Sequence, residues 1–316
     1  MKTGIYNNKI MRGCFLILNY KDSNVTKEAV SYLKKLDGID DCIIVIFDNG
    51  SGNGSLESLN DLYANDAGVI VGGSEVNLGF SEGNNAAYKL ALEHCDCEGF
   101  DYAVDMNSDV MIHQKDFISR IKKYAEEGRL AVIGPDVFNS RLKRHENPLF
   151  AEIPSASDID GHIESQEYQL KNLNAAVSMW RKSEIKARLG RLFPYWAIQI
   201  YRKAGNANNS GNNYKKMHHE PVLHGCCLIY LRPYLERESV LFEPDTFLYG
   251  EEILLSVKCR TKGYRVMYAP GLKIEHREAV STKTGKTAEE HVKQRLENLI
   301  HAYRIVKKTI EDNPWE

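Results

Sequence analysis

Over its first 135 residues the chain alternates between two hydrophobic rhythms. The run Cys14-Phe-Leu-Ile-Leu18 is apolar at every position, as a strand buried on both faces requires. Over residues 25–36 the apolar residues fall at Val25, Ala29, Val30, Leu33 and Leu36, a stripe at helical spacing. Asn24 and Thr26 are its candidate caps. Further strands are predicted at 42–47, 68–71, 102–106 and 130–133, and further helices at 55–63, 82–94 and 116–127. Strands apolar throughout and separated by helices predict an α/β fold: a mostly parallel sheet with helices on both faces. The second half is less regular. Residues 136–180 read as loops with short elements; a strand at 222–230, a helix at 251–262, a strand at 265–269 and an amphipathic helix at 291–310 follow. No internal repeat is present.

Composition narrows the class. Hydrophobic residues make up 43% and charged residues 27%, which excludes a disordered chain, a fibre and a coiled coil. With 41 basic and 43 acidic residues the formal charge is −2, so a nucleic-acid partner is not expected. No apolar run approaches the roughly 18–20 residues of a membrane span. The opening MKTGIYNNKIMRG lacks the apolar stretch of a secretory signal. The seven cysteines form no CxxC or zinc-ligand spacing, as expected of reduced structural thiols in a cytoplasmic protein. Near-neutrality hides one local excess. Residues 181–216 hold nine Lys or Arg against one acid, Glu184, together with Phe193, Tyr195 and Trp196. Such a stretch suits peripheral contact with an anionic membrane or a lipid diphosphate, and equally a solvated insertion. The terminal helix adds Lys293, Arg295, Arg304, Lys307 and Lys308.

Ligands of parallel sheets bind at the carboxyl ends of the strands, and there the polar residues collect. Asn19 follows the first strand and Asp48-Asn49-Gly50-Ser51 the second. Asn77-Leu-Gly79-Phe80-Ser-Glu-Gly83-Asn84-Asn85 follows the third, and Asn107-Ser108-Asp109 the fourth. Asn-Gly is a common turn, but an Asp there can also accept from a base or ribose. The Gly- and Asn-rich opening of the 82–94 helix is either a cap or a phosphate site. Asp105 and Asp109 are oxygen donors of the kind Mg²⁺ or Mn²⁺ takes. Glu251 and Glu252 open a helix, where the macrodipole favours them; a carboxylate there can also serve as a general base. His276 is a usable metal ligand or a structural imidazole.

Order and spacing join these pieces. Leu16-Ile-Leu-Asn-Tyr20, Val45-Ile-Phe-Asp-Asn-Gly-Ser51, the Asn77–Asn85 block and Met106-Asn-Ser-Asp-Val110 resemble the N-terminal half of family 2 glycosyltransferases. His224-Gly-Cys226, Phe247-Leu-Tyr-Gly-Glu-Glu252, Gly263-Tyr-Arg-Val-Met-Tyr-Ala-Pro270 and His276 match its C-terminal set. The similarity spans about 12–280 apart from 136–222, and is nearest the rhamnosyl- and galactosyltransferase-like enzymes of bacterial surface polysaccharide synthesis. The resemblance implies a GT-A fold. It also implies an inverting transfer from a nucleoside-diphosphate sugar, UDP- or dTDP-linked, to a glycan or lipid-linked acceptor, with Mg²⁺ or Mn²⁺.

On the matching positions, Asp48 would contact the base with Asn19 beside it. Asn49, Ser51, Asn77, Gly79, Phe80, Asn84, Asn85 and Asn107 would line the donor pocket. Asp109 and His276 would hold the metal, Glu252 would be the base, and Glu251 would help hold the acceptor. Residues 1–135 would form the nucleotide-sugar part, 136–280 the acceptor and catalytic part, and 281–316 a helical extension. Two positions depart from the pattern: Asn107 replaces the first Asp of the metal motif, and Glu252 replaces an Asp base. A sugar-nucleotide pyrophosphorylase would need a glycine-rich loop after the first strand, where Asn19-Tyr-Lys-Asp-Ser23 stands. A non-catalytic sugar-nucleotide-binding subunit is the other rival.

Overall fold

The computed structural model describes residues 12–95, 99–126, 129–190, 213–278 and 287–314. Its first half runs β1 (Gly13–Asn19), α1 (Ser23–Leu33), β2 (Cys42–Asn49), α2 (Ser55–Tyr63), β3 (Val69–Ser74), α3 (Phe80–Glu93), β4 (Tyr102–Asn107), β5 (Val110–Met111), α4 (Phe117–Ala125) and β6 (Leu130–Asn139). Then come β7 (Arg144–His145), α5 (Ala156–Lys171), α6 (Leu173–Gly190), β8 (His218–His219), β9 (Cys227–Leu231), a single turn α7 (Arg232–Leu235), α8 (Glu251–Thr261), β10 (Arg265–His276) and α9 (Ala288–Asp312).

One sheet organises the molecule, in the order β3-β2-β1-β4-β9-β6-β10-β5. Strands β3, β2, β1 and β4 are parallel, as are β6 and β10. Strand β9 runs antiparallel between β4 and β6, and so joins the two parallel sets. Alternate side chains of each strand point to opposite faces. Phe15, Ile17, Ile44, Ile46 and Val104 pack under α1 and α4. Cys14, Leu16, Val45 and Ala103 pack with Ala87, Tyr88 and Ala91 of α3 and Leu255 of α8. Burying each large side chain contributes roughly 1.5–3 kcal/mol, so apolar surface on both faces is what makes the strands central.

The structure corrects several predicted bounds. Asp22, not Asn24 or Thr26, caps α1 by accepting from the Val25 amide. The strands predicted at 130–133 and 265–269 continue to Asn139 and His276. Strand β10 accommodates Pro270 and Gly271 through a register shift against β6, the irregularity a strand proline calls for. The predicted strand at 222–230 begins only at Cys227; Val222 makes an isolated bridge to Phe150. The largest miss is 136–180, which holds two long helices. Helix α5 starts with a capping box between Ser155 and Asp158. Its apolar residues are sparse because it buries only one narrow stripe: Ile159 joins Ile253, Leu254, Val306 and Ile310 of α8 and α9.

Among the described residues six cysteines are free thiols, and no described helix is long and apolar enough to cross a membrane. The part of the basic stretch at 191–212, with Phe193, Tyr195 and Trp196, lies outside the described residues. The terminal helix is not a free basic face. Arg304 pairs with Glu167, Lys307 with Asp160 and Lys293 with Glu297.

Candidate active site

Because β1 to β4 are parallel, Asn19, Asn49 and Asn107 all finish on one edge of the sheet. A cavity of ≈ 390 Å³ opens there, within the usual size of a ligand site. Its walls are Asn49, Asn77, Gly79, Phe80, Asn107, Ser108 and Asp109 from the sheet edge, Phe247, Leu248 and Tyr249, and His291, Gln294, Arg295 and Asn298 of α9.

Glycine brings two of these walls together. Gly79 has φ +85°, and a Cβ there would meet the Phe247 carbonyl oxygen at 2.5 Å. That closeness lets the Phe80 amide donate to the same carbonyl at 2.8 Å. Asn49 steadies the loop from behind: its Nδ2 donates to the Gly79 carbonyl at 2.8 Å, and its Oδ1 accepts from the Leu78 amide at 2.9 Å.

Five expected donor residues do not reach the cavity. Asp48 is buried and accepts from Asn19 Nδ2, the Ser51 amide and hydroxyl, and the Ser55 hydroxyl. It holds the turn after β2, with Asn19 and Ser51 as its partners. Asn85 accepts from the Leu241 and Phe242 amides and donates to the Phe242 carbonyl, so it pins a loop of the second half to α3. Asn84 is buried with neither side-chain atom hydrogen-bonded. Asp105 is likewise enclosed: β4 alternation points it to the face of Ala103, both oxygens lack a partner, and burial pushes its carboxyl well up. It does not line the cavity.

The segment His224-Gly225-Cys226 ties the remaining groups together. The Gly225 amide donates to Glu252 Oε1 at 3.3 Å. A Cβ on Gly225 would stand 2.9 Å from that oxygen, so only glycine permits the approach. The Cys226 carbonyl accepts from the Asn107 amide at 2.9 Å. Cys226 thus lies between the Asp109 loop and the start of α8, and the charges of Asp109, Glu146 and Glu252 all add to the burial that raises its thiol.

Strand pairing brings Asp109 to His276. Strand β5 pairs antiparallel with the end of β10, Val110 opposite His276, and the Arg277 amide donates to the Asp109 carbonyl at 3.0 Å. His276 Nε2 then lies 3.5 Å from Asp109 Oδ1, and its Nδ1 lies 3.6 Å from Glu146 Oε2. Burial would lower the His276 pKa, but the two carboxylates outweigh it and hold it up to about 10. Burial would raise Glu146, yet His276, Asn139, His224 and Arg144 bring it down to about 2.

Glu146 has no signal in the sequence reading. It sits in a loop, and the β6–β7 hairpin alone delivers it beside His276.

His224, Cys226 and His276 offer donor atoms within 4.8 Å of one another. Chemistry selects among them. His224 Nδ1 accepts from the Cys226 amide at 3.1 Å, which leaves its proton on Nε2 and no free lone pair. Burial, helped by the His276 charge, pulls its pKa down to about 4, so it is neutral. Asp109 is not one of these three, but its carboxylate stands 3.5 Å from His276 Nε2.

At the head of α8, Glu251 is buried with Oε2 unpaired. Burial, then the Glu252 charge, raises it well up. Burial also raises Glu252, opposed by the Gly225 amide. Glu251, Glu252 and His276 are not among the residues that line the cavity. The sequence reading also missed the cavity-facing role of α9. Its residues 291, 294, 295 and 298 share one helical face, and Gly250 (φ +83°) lets Ala302 and Val306 pack against the turn before α8.

No protein-family model matches the chain, and no curated protein matches it in sequence. Solved structures do share the fold. The mannosyltransferase PcManGT from Pyrobaculum calidifontis, in complex with GDP-Man and Mn²⁺, superposes with a TM-score of 0.50 at 14% identity, covering 96% of this chain and 73% of that one. TarS 1-349 from S. aureus, in complex with UDP-GlcNAc, gives 0.50 at 15% identity, covering 97% and 68%. S. aureus TarS gives 0.51 at 14% identity, covering 84% of this chain and 37% of that one. The mixed α/β architecture with its mostly parallel, helix-flanked sheet is therefore the GT-A-like fold of glycosyltransferases.

Proposed function

We propose that this protein is an inverting, metal-dependent glycosyltransferase that moves a sugar from a nucleoside-diphosphate sugar to a hydroxyl of a glycan or lipid-linked acceptor. The observation that carries the reading is the convergence of Asp109 and His276 beside a cavity at the carboxyl edge of a GT-A-like sheet. The two solved neighbours with nucleotide sugars bound support the donor class. Surface polysaccharide synthesis is the setting suggested by the motif resemblance.

In this reading residues 1–135 and 136–280 are parts of one unit, because the cavity draws on both halves. Asn49, Asn77 and Gly79 shape the nucleotide side, and Asn107 and Asp109 the diphosphate side. The face of α9 bearing Arg295 and Asn298 closes the opposite wall.

Asp109 and His276 fit a divalent cation. One carboxylate oxygen and one imidazole nitrogen converge at 3.5 Å, a donor set that suits Mn²⁺ and, with added oxygens, Mg²⁺. When bound, such a cation would neutralise the charge that grows on the departing diphosphate. Asn107 is uncharged, so Asp109 is the one carboxylate of that loop segment. Glu252 takes the proton of the attacking hydroxyl. Burial raises its carboxyl, which strengthens it as a base.

A panel of UDP-, dTDP- and GDP-sugars tests the proposal, read as thermal stabilisation and as metal-dependent donor hydrolysis. A ligand that binds the native state raises stability with the logarithm of its concentration. Stabilisation and Mn²⁺-stimulated hydrolysis by at least one member is expected. No stabilisation by any member would overturn the reading; stabilisation without turnover would favour a binding subunit.

A further inference from the structure

Among the described residues, Glu146 is a buried acidic group beside the proposed metal pair that the mechanism does not use. The β6–β7 hairpin places it: the Glu146 amide donates to the Val137 carbonyl at 2.9 Å, and Asn139 stands opposite His276 in the β6–β10 register. Each of its oxygens is held. Arg144 donates to Oε1 from Nε at 3.0 Å and from a terminal nitrogen at 2.8 Å. Asn139 Nδ2 donates to Oε2 at 2.9 Å. The same Oε2 faces His276 Nδ1 at 3.6 Å and His224 Nε2 at 3.9 Å.

An ionised carboxylate can only accept. Both His276 nitrogens face a carboxylate, and Nδ1 makes no hydrogen bond of its own. A cation held by Asp109 and Nε2 would take the Nε2 lone pair and leave the ring's one proton on Nδ1, toward Glu146. His224 cannot compete for the role, because its own Nδ1 is taken by the Cys226 amide and its Nε2–H also points at Glu146.

We propose that Glu146 is a positioning residue: it fixes the His276 tautomer and ring so that Nε2, with Asp109, is presented to a divalent cation. This rests on the metal reading above. A carboxylate behind a metal-bound imidazole typically contributes 10–100-fold in metal affinity.

The test uses the full chain and Mn²⁺, with free Mn²⁺ followed by electron paramagnetic resonance, alone and with UDP, dTDP or GDP. The variants are Glu146→Gln and His276→Ala. In Glu146→Gln the Arg144 fork retains the amide oxygen and turns the NH₂ toward His276, which disfavours the Nδ1–H tautomer. Mn²⁺ affinity should fall about 10–100-fold, and donor hydrolysis should return at saturating Mn²⁺. His276→Ala should lose the site.

Wild-type affinity in Glu146→Gln with loss in His276→Ala would overturn the role of Glu146 and leave the metal reading standing. Wild-type affinity in His276→Ala would remove both. Should Glu146→Gln fail to fold, nitrogen-15 spectra of the Mg²⁺-loaded wild-type protein decide. A proton on His276 Nδ1 supports the proposal, and a proton on Nε2 overturns it.

Discussion

The β1–β4 side of the molecule and the side built from β6, β10 and α8 use their polar residues differently. At the ends of β1 and β2 the polar groups are consumed by the scaffold, while Asn84 and Asp105 deeper on this side make no side-chain hydrogen bond. Asp48 accepts four hydrogen bonds, Asn49 wires the Leu78–Gly79 loop, and Asn85 saturates on the 241–242 backbone. On the side built from β6, β10 and α8, groups are left short of partners or shifted in charge. Glu251 Oε2 and His276 Nδ1 are unpaired, and the pKa values of Glu252 and His276 are raised. Saturated groups set geometry; strained ones hold a proton or a site for a cation. In the proposed reading the first side is the mould and the second holds the reacting groups.

Substitutions can break that contrast, and the largest effect falls on the second side. Glu252→Gln removes the base without changing shape, so transfer should drop about 10²–10⁴-fold while donor-induced thermal stabilisation persists. Full turnover by this variant would exclude Glu252 as the base. Gly225→Ala comes next. Its Cβ would press on the flexible end of Glu252, so the carboxylate shifts and the backbone does not. A misplacement of this kind costs up to ~10²-fold in rate, with the thermal midpoint little changed. A matching loss of stability would show that Gly225 serves packing instead.

Asp48→Ala should behave in the opposite way. It strands the Asn19, Ser51 and Ser55 donors, at about 1–3 kcal/mol in urea unfolding. The activity of the folded fraction should remain close to wild type. Normal stability with lost donor binding would return Asp48 to the base-contacting role that the motif resemblance implies, and the contrast between the two sides would dissolve.

The smallest effect lies outside the cavity. Glu238 accepts from Lys262, Tyr264 and Lys258, and against the opposing effect of burial these hold its pKa at about 2, below the ordinary 4.5. A depressed carboxylate stabilises the fold fully above its unfolded value and loses that contribution as the pH falls. Acid unfolding should therefore steepen between pH ~4.5 and ~2. Lys262→Ala removes a half-exposed partner and should cost about 0.2–1 kcal/mol at neutral pH, with the acid transition moved upward. An unchanged acid transition would rule out Glu238 as its cause.

Legibility differed between the sides for a physical reason. The β1–β4 half is built from local units, each strand leading to the next helix, so hydrophobic period and turn residues revealed its elements. Even there, the sequence could not say whether Asp48 faced a ligand or its own turn, because both uses select the same Asp-Asn-Gly-Ser. Helices α5 and α6 escaped notice because each buries only a thin stripe; the Ser155–Asp158 capping box was the available signal. Glu146 was invisible for a different reason. It lies in no motif, and its partners are seven residues away at Asn139 and 130 away at His276.

By itself the sequence determined the α/β class, the alternation of the first four strands and helices, and the collection of polar residues at one sheet edge. It also determined the candidate acids and imidazole. These follow from periodicity and chain order, which are local properties. The tertiary structure alone decided which of those polar groups are spent on the scaffold, that α9 walls the cavity, and that Glu146 stands behind His276. These depend on strand pairing and helix packing between distant segments. The same carboxylate is inert or reactive according to how many donors that packing brings to it.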